Sequence, residues 1–192
     1  MGLIKKPINT CDAIAKGTAQ VMADGDVIVP DTKPDILKLL QVDSEASITD
    51  KYIENGRLVL CGRVDYKVLY IPDSENEKIK SILTSMEFRQ VVDARNADAD
   101  TQILVKPVVE KVEFNTVNSR KLRLRAIVHI DYEICCLRCA EITCDIENEK
   151  AEKQIDVVLY ENTVNISEHE FTVKEKLEIP SGEVSIKEIL KN

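Results

Sequence analysis

From Leu122 to Ile134 the chain alternates without interruption. Leu122, Leu124, Ala126, Val128, Ile130, Tyr132 and Ile134 fall on one side, and Arg123, Arg125, Ile127, His129, Asp131 and Glu133 on the other. A period of two sustained over that length fits a strand with one face in a core and the other toward water or a partner. The same period runs through Leu58, Leu60, Gly62, Val64, Tyr66, Val68 and Tyr70, with Arg63, Asp65 and Lys67 among the residues between them. Asn55-Gly56 just before it is a type I′ hairpin signal, so Ala46, Ile48, Tyr52 and Ile53 belong to its partner strand. Further strands are expected at Met86–Val92, Ile103–Phe114, Ile155–Tyr160, Val164–Ile166 and Phe171–Ile179. Pro107 marks the second of these as an edge or a bulged strand. Strands outnumber helices by far, which predicts a mainly β fold: an antiparallel β-sandwich or paired sheets with one or two short helices.

The helices are expected where a short pattern occurs twice. VIVPDTKPDILKLL, Val27 to Leu40, and LEIPSGEVSIKEIL, Leu177 to Leu190, superpose on their prolines, Pro30 and Pro180. Ile186, Ile189 and Leu190 then fall on Ile36, Leu39 and Leu40. Each copy reads as a strand end, a proline that stops it and a short amphipathic helix, with Pro34 in the first turn of the first copy. The first copy opens a long strand-rich region, whereas the second stands at the end of the sequence. The predicted organisation is an N-terminal arm (1–26) with one short strand, a β domain (27–170) and a C-terminal strand–helix arm (171–192). A repeat unit that lacks its own sheet has to find one elsewhere. Phe171, Val173, Leu177, Ile179, Ile186, Ile189 and Leu190 are therefore the expected assembly arm.

The balance of 26 basic against 34 acidic residues gives a net charge of −8, which speaks against nucleic acid and against an anionic membrane surface. No apolar run is long enough to cross a bilayer, and the first residues lack the apolar core of a signal peptide. Aromatic residues make up 4% and tryptophan is absent, which disfavours a groove lined with aromatic platforms.

Six cysteines stand out, four of them at Cys135, Cys136, Cys139 and Cys144 and the others at Cys11 and Cys61. A thiol at a strand end is placed to bond to another subunit, so Cys135, Cys139, Cys144 and Cys11 are candidates for intermolecular disulfides in an oxidising setting. Strand alternation puts Cys135 on the polar face and Cys136 on the core face. Cys61 and Cys136 suit packing. Cys136-x-x-Cys139 is one half of a zinc knuckle and gives a zinc-stabilised domain as a minor alternative. His129 reads as an exposed cross-strand residue and His169 as a loop residue. Neither has a nucleophile at a motif spacing, and no glycine-rich phosphate loop is present. No enzyme and no cofactor are expected.

The segments Val29-Pro30-Asp31-Thr32-Lys33-Pro34-Asp35-Ile36, Gly56-Arg57-Leu58-Val59-Leu60-Cys61-Gly62 and Val68-Leu69-Tyr70-Ile71 resemble the SPOCS domain of spore-envelope proteins from clostridia and their relatives. The likeness continues through Met86-Glu87-Phe88, Val108 to Val112 and Arg120 to Val128, over roughly residues 27–135. It implies a coat or exosporium protein, made in the mother-cell cytoplasm and related to a morphogenetic factor that recruits coat components. The peptidoglycan-binding LysM domain of that factor has no counterpart in this sequence, so the expectation is a building block. The expected function is a structural protein that self-assembles by strand or arm exchange, with disulfide cross-links. Its partners would be itself and other spore coat proteins. The alternative is a non-polymerising module that docks coat morphogenetic proteins.

Overall fold

The two alternating stretches become the middle strands of two sheets. The computed structural model describes residues 2–74, 79–95, 97 and 101–147, and past them 154, 156–157, 159–161, 163, 167, 171–176 and 178. Six strands run in order: β1 (Leu3–Ile28), β2 (Ile36–Glu54), β3 (Arg57–Pro72), β4 (Lys80–Asp93), β5 (Gln102–Asn118) and β6 (Lys121–Ile146). One sheet has the order β1-β6-β5 and the other β2-β3-β4, with every neighbouring pair antiparallel. The expected mainly β, antiparallel class is what forms, and no helix occurs among the described residues.

The core lies between the two middle strands. Leu58, Leu60, Val64, Tyr66, Val68 and Tyr70 of β3 and Leu122, Leu124, Ala126, Val128, Ile130 and Ile134 of β6 are all buried in one cluster. Each of the larger side chains stabilises the fold by about 1.5–3 kcal/mol through removal from water. The edge strands meet as well, β1 over β4 and β2 over β5. Both core tyrosines find acceptors for their hydroxyls. Tyr66 Oη donates to Ala23 O across the sandwich at 3.2 Å, and Tyr70 Oη donates to Pro34 O at 3.1 Å. The hairpin between β2 and β3 turns on Asn55 (φ 50°) and Gly56 (φ 70°), the two positive φ angles that a type I′ turn requires.

The helix expected after Pro34 is a strand instead. Ile36 pairs with Pro72, Leu39 with Tyr70 and Val42 with Val68, with single-residue bulges between Ile36 and Lys38 and between Leu39 and Gln41. Each bulge spends one extra residue, so inward-facing positions recur every three residues and imitate a helical stripe. The extra residues point away from the core: Leu37 is 66% exposed and Leu40 45%. The second copy of the pattern, apart from Glu178, lies outside the described residues.

The N-terminal stretch read as an arm with one short strand is a long strand of the first sheet. Its alternation is written in small residues, Ala15, Gly17, Ala19, Val21, Ala23, Gly25 and Val27. Bulky groups opposite explain the choice. A Cβ at Gly17 would lie 2.7 Å from Tyr132 Oη, and one at Gly25 would lie 3.1 Å from Met86 Cε. None of the described residues between 154 and 178 is in a strand, so neither the strand expected at Ile155–Tyr160 nor that at Phe171–Ile179 forms in its described part.

Candidate functional site

The VPDTKPDI motif forms the crossover from the first sheet to the second, and one arginine fastens it. Arg120, in the tight turn between β5 and β6, donates from Nη1 to Asp35 Oδ1 at 2.6 Å. Its Nη2 donates to Val29 O at 3.1 Å, Pro30 O at 3.3 Å and Asp31 Oδ1 at 3.1 Å. Ser119 Oγ donates to the other Asp35 oxygen at 2.9 Å, and the backbone closes the joint with Val29 N to Arg120 O and Ile36 N to Ser119 O. Lys33 Nζ reaches Ser81 O on β4. Arg120 in the first place, and Ser119 after it, holds the Asp35 carboxyl below the usual carboxylate range. A fork of N–H donors on carbonyls and carboxylates is a geometry that lysine cannot reproduce. The motif therefore joins sheets; its polar groups are turned on one another.

The cysteines lie on a different part of the molecule. β5 ends where Gln102 pairs with Cys135, while β1 and β6 continue together to Leu3 and Ile146. Beyond that row only two strands are paired, and the ribbon carries Cys11, Cys136, Cys139 and Cys144, with Cys135 in the row where it begins. Its register fixes the faces. Cys135 stands opposite Ala13, Leu137 opposite Cys11 and Cys139 opposite Asn9, so Cys11, Cys135 and Cys139 share one face. Cys136, opposite Asp12, points to the other face. Cys144 is the extra residue of a bulge between Thr143 and Asp145.

This geometry corrects two expectations. Cys135 is on the face away from the core, as alternation predicts, yet it is 3% exposed and not an open thiol. It belongs to the middle strand, flanked by β1 and β5, and its Sγ contacts Glu133 Oε1 at 3.6 Å. The Cys136-x-x-Cys139 knuckle does not suit a zinc ion. In an extended strand, residues three apart project to opposite faces, so the two thiols diverge. Among the described residues no three His, Cys, Asp or Glu side chains converge as a metal site. Cys139 and Cys144 are exposed, whereas Cys11, Cys61 and Cys136 are half-buried.

The tail past Glu147 makes one backbone bond to the sandwich among the described residues, Thr163 N to Asn9 O at 3.0 Å, on the outer edge of β1. Its described apolar residues face outward. Phe171 is 82% exposed and Val173 78%, and Val157 and Leu159 are exposed still further. Leu177, Ile179, Ile186, Ile189 and Leu190 of the expected assembly arm lie outside the described residues, as does His169. His129 sits on the outer face of β6 with Nε2 3.3 Å from Asp131 Oδ1. An open depression of about 620 Å³ on the same sheet is lined by Lys16, Thr18, Leu104, Lys106, Asp131 and Glu133 among others. Its Lys16 and Glu133 pair at 2.8 Å, which raises the lysine pKa and lowers that of the glutamate.

Residues 35–117 match the family model described as SipL, SPOCS domain. Over this part the chain is similar to a SPOCS domain. No curated protein and no solved structure matches it significantly. The matched SPOCS residues supply Asp35, all of the β2-β3-β4 sheet and nearly all of β5. They leave out β1 and β6, including the middle strand of the other sheet and every ribbon cysteine. The likeness read from the sequence is wider, 27 to 135, because the VPD opening and β6 lie next to the matched part. Arg120, three residues past the match, joins the SPOCS segment to β6; its pairing with Asp35 is long-range and has no local signal.

Proposed function

We propose that this protein is a structural protein of the bacterial spore envelope, coat or exosporium, that assembles with copies of itself by strand exchange. Similarity to the SPOCS family supplies the link to sporulation. The observation that carries the assembly is the outward exposure of Phe171 and Val173 on a segment whose described residues join no strand of their own chain. Alternating apolar residues on an extended segment are what an open sheet edge accepts, main-chain bonds giving affinity and side-chain pockets giving register. Such edges are present on β1, β2, β4 and β5. If tail and edge belong to different surfaces of one subunit, the contact is head-to-tail and does not close on a dimer. The exposed thiols of Cys139 and Cys144 would lock neighbours once the setting is oxidising.

Light scattering on the full chain and on a version ending at residue 170 tests this directly. The full chain is expected to form large species whose size grows with concentration, and the shortened chain to stay small. Equal, small sizes for both would remove self-assembly and leave a module that docks another coat protein.

A further inference from the structure

We propose that the edge of β4 from Leu83 to Arg89 is the surface on which the tail of a second copy docks as an added strand. This inference rests on the reading of the protein as a self-assembling subunit, and it names the edge that receives the tail. Three of the four sheet edges are blunted by features that discourage a further strand. β1 carries Pro7, the tail bond at Asn9 and a bulge at Ile14. β2 bulges at Leu37, Leu40 and Thr49. β5 carries Pro107 and bulges at Glu110 and Val117. β4 has neither proline nor glycine, and it pairs with β3 in unbroken register from Lys80 to Asp93. The open side of β6 past Cys135 belongs to the two-stranded ribbon, which bulges at Cys144, and such ribbons twist more than wider sheets.

The same edge presents apolar surface to an incoming strand. Leu83 is 73% exposed, more than any other large apolar side chain in the six strands. It projects on the face away from the core, whereas Ile82 and Phe88 face inward and are buried. Phe171 or Val173 of an added strand would lie beside it, a cross-strand pairing that stabilises sheets. Lys33 Nζ on Ser81 O bounds the stretch at one end, and Gln90 Nε2 on Val91 O at 3.5 Å bounds it at the other. Leu83 to Arg89 between them exceeds the usual strand length of about 5–6 residues. The occupant has to come from another subunit. Gly25 of β1 faces the Met86 side chain, and Lys33, past the end of β1, reaches Ser81. From Met86 to Leu83, β4 therefore runs away from Asn9. Asn9 and Gly25 stand about 50 Å apart along β1, at about 3.3 Å per residue. Thr163 is bonded to Asn9, and from Thr163 to Phe171 a fully extended chain spans at most about 29 Å. A tail held at its own Asn9 thus falls short of its own Leu83. The contact is head-to-tail, which builds an open array when it does not close.

The test is photo-cross-linking of the full chain with an excess of a synthetic peptide of residues 169–181 that carries benzoylphenylalanine at position 171. The attachment point is mapped by mass spectrometry and is expected within Lys80–Asp93. Leu83→Lys should lower the cross-link yield about tenfold or more, the loss expected when one leucine no longer contributes to a contact. Leu37→Lys, at a position 66% exposed on the bulged β2 edge, should leave the yield unchanged. Both positions face water, so both variants are expected to unfold at the native midpoint. Attachment on β1, β2, β5 or the ribbon, no attachment at all, or an unchanged yield in Leu83→Lys would overturn the proposal. Light scattering reads self-assembly separately. Attachment on β4 without large species keeps the edge and removes the polymer, and large species with attachment elsewhere do the reverse.

Discussion

Gly62, in the middle of β3, shows how tightly single positions are set. A Cβ there would fall 2.3 Å from Phe88 Cζ and 2.5 Å from the backbone oxygen of Ser47, and the second contact cannot swing away. Gly62→Ala is expected to destabilise the fold by about 1–3 kcal/mol, measured as a lower midpoint in denaturant unfolding at unchanged slope. The Arg120–Asp35 joint gives a prediction with a pH sign. Asp35 has a depressed pKa in the folded chain, so its contribution is present above the ordinary carboxylate pKa and is lost as pH falls through the depressed value. Asp35→Asn is therefore expected to unfold more easily than the native chain at neutral pH, with the difference shrinking as the pH is taken below about 4. A difference that stays constant down to about pH 2 would remove the ion pair as its cause. At this scale the sequence is partly readable. Asn55-Gly56 announces its turn because the turn is local chemistry. Arg120 cannot be read this way, since its partners lie far back in the chain. Alternation assigns Cys135 to the correct face, but its burial depends on strands β1 and β5 on either side, which alternation does not report.

Element by element, the strands that read clearly are those with one apolar and one charged face in regular ladders, β3 and β6. β2 misleads because two bulges turn its period from two to three, and Ile36, Leu37, Leu39 and Leu40 then satisfy a helical template. β1 hides for a different reason: its inward side is built largely of alanine and glycine to admit Tyr132 and Met86, so hydrophobic periodicity is faint. The two readings of the segment after Pro34 separate by experiment. Ile36 is buried and Leu37 is a bulge residue facing water. Ile36→Ala is expected to cost about 2–5 kcal/mol. Leu37→Ala should stay within about 0.5 kcal/mol, as for other surface changes. Comparable losses at both positions, read by thermal unfolding, would contradict the strand with its outward-facing bulge.

For the molecule as a whole, the SPOCS segment cannot be a complete sandwich here, because the middle strand that covers β3 comes from outside it. The chain finishes that sheet with its own β1 and β6, and among the described residues its outer edges carry no further strand, only the tail bond at Asn9. Exposed edges attract further strands unless something blunts them. On this chain the described tail carries Phe171 and Val173 outward, and it is the proposed occupant of such an edge. If assembly runs through that contact, a free copy of the segment must compete with it. A synthetic peptide of residues 169–181 in large excess is expected to shorten assemblies of the full chain, seen as a dose-dependent fall in scattered light. The same peptide with Phe171→Lys and Val173→Lys should have no effect, because a charged face cannot replace the apolar one in the edge. Thiol reduction should not reproduce the fall, since on the proposed reading Cys139 and Cys144 would only secure a contact made by the strand. Equal action of the two peptides would mean that the apolar face does not determine the contact, and assembly would then have to run through the ribbon.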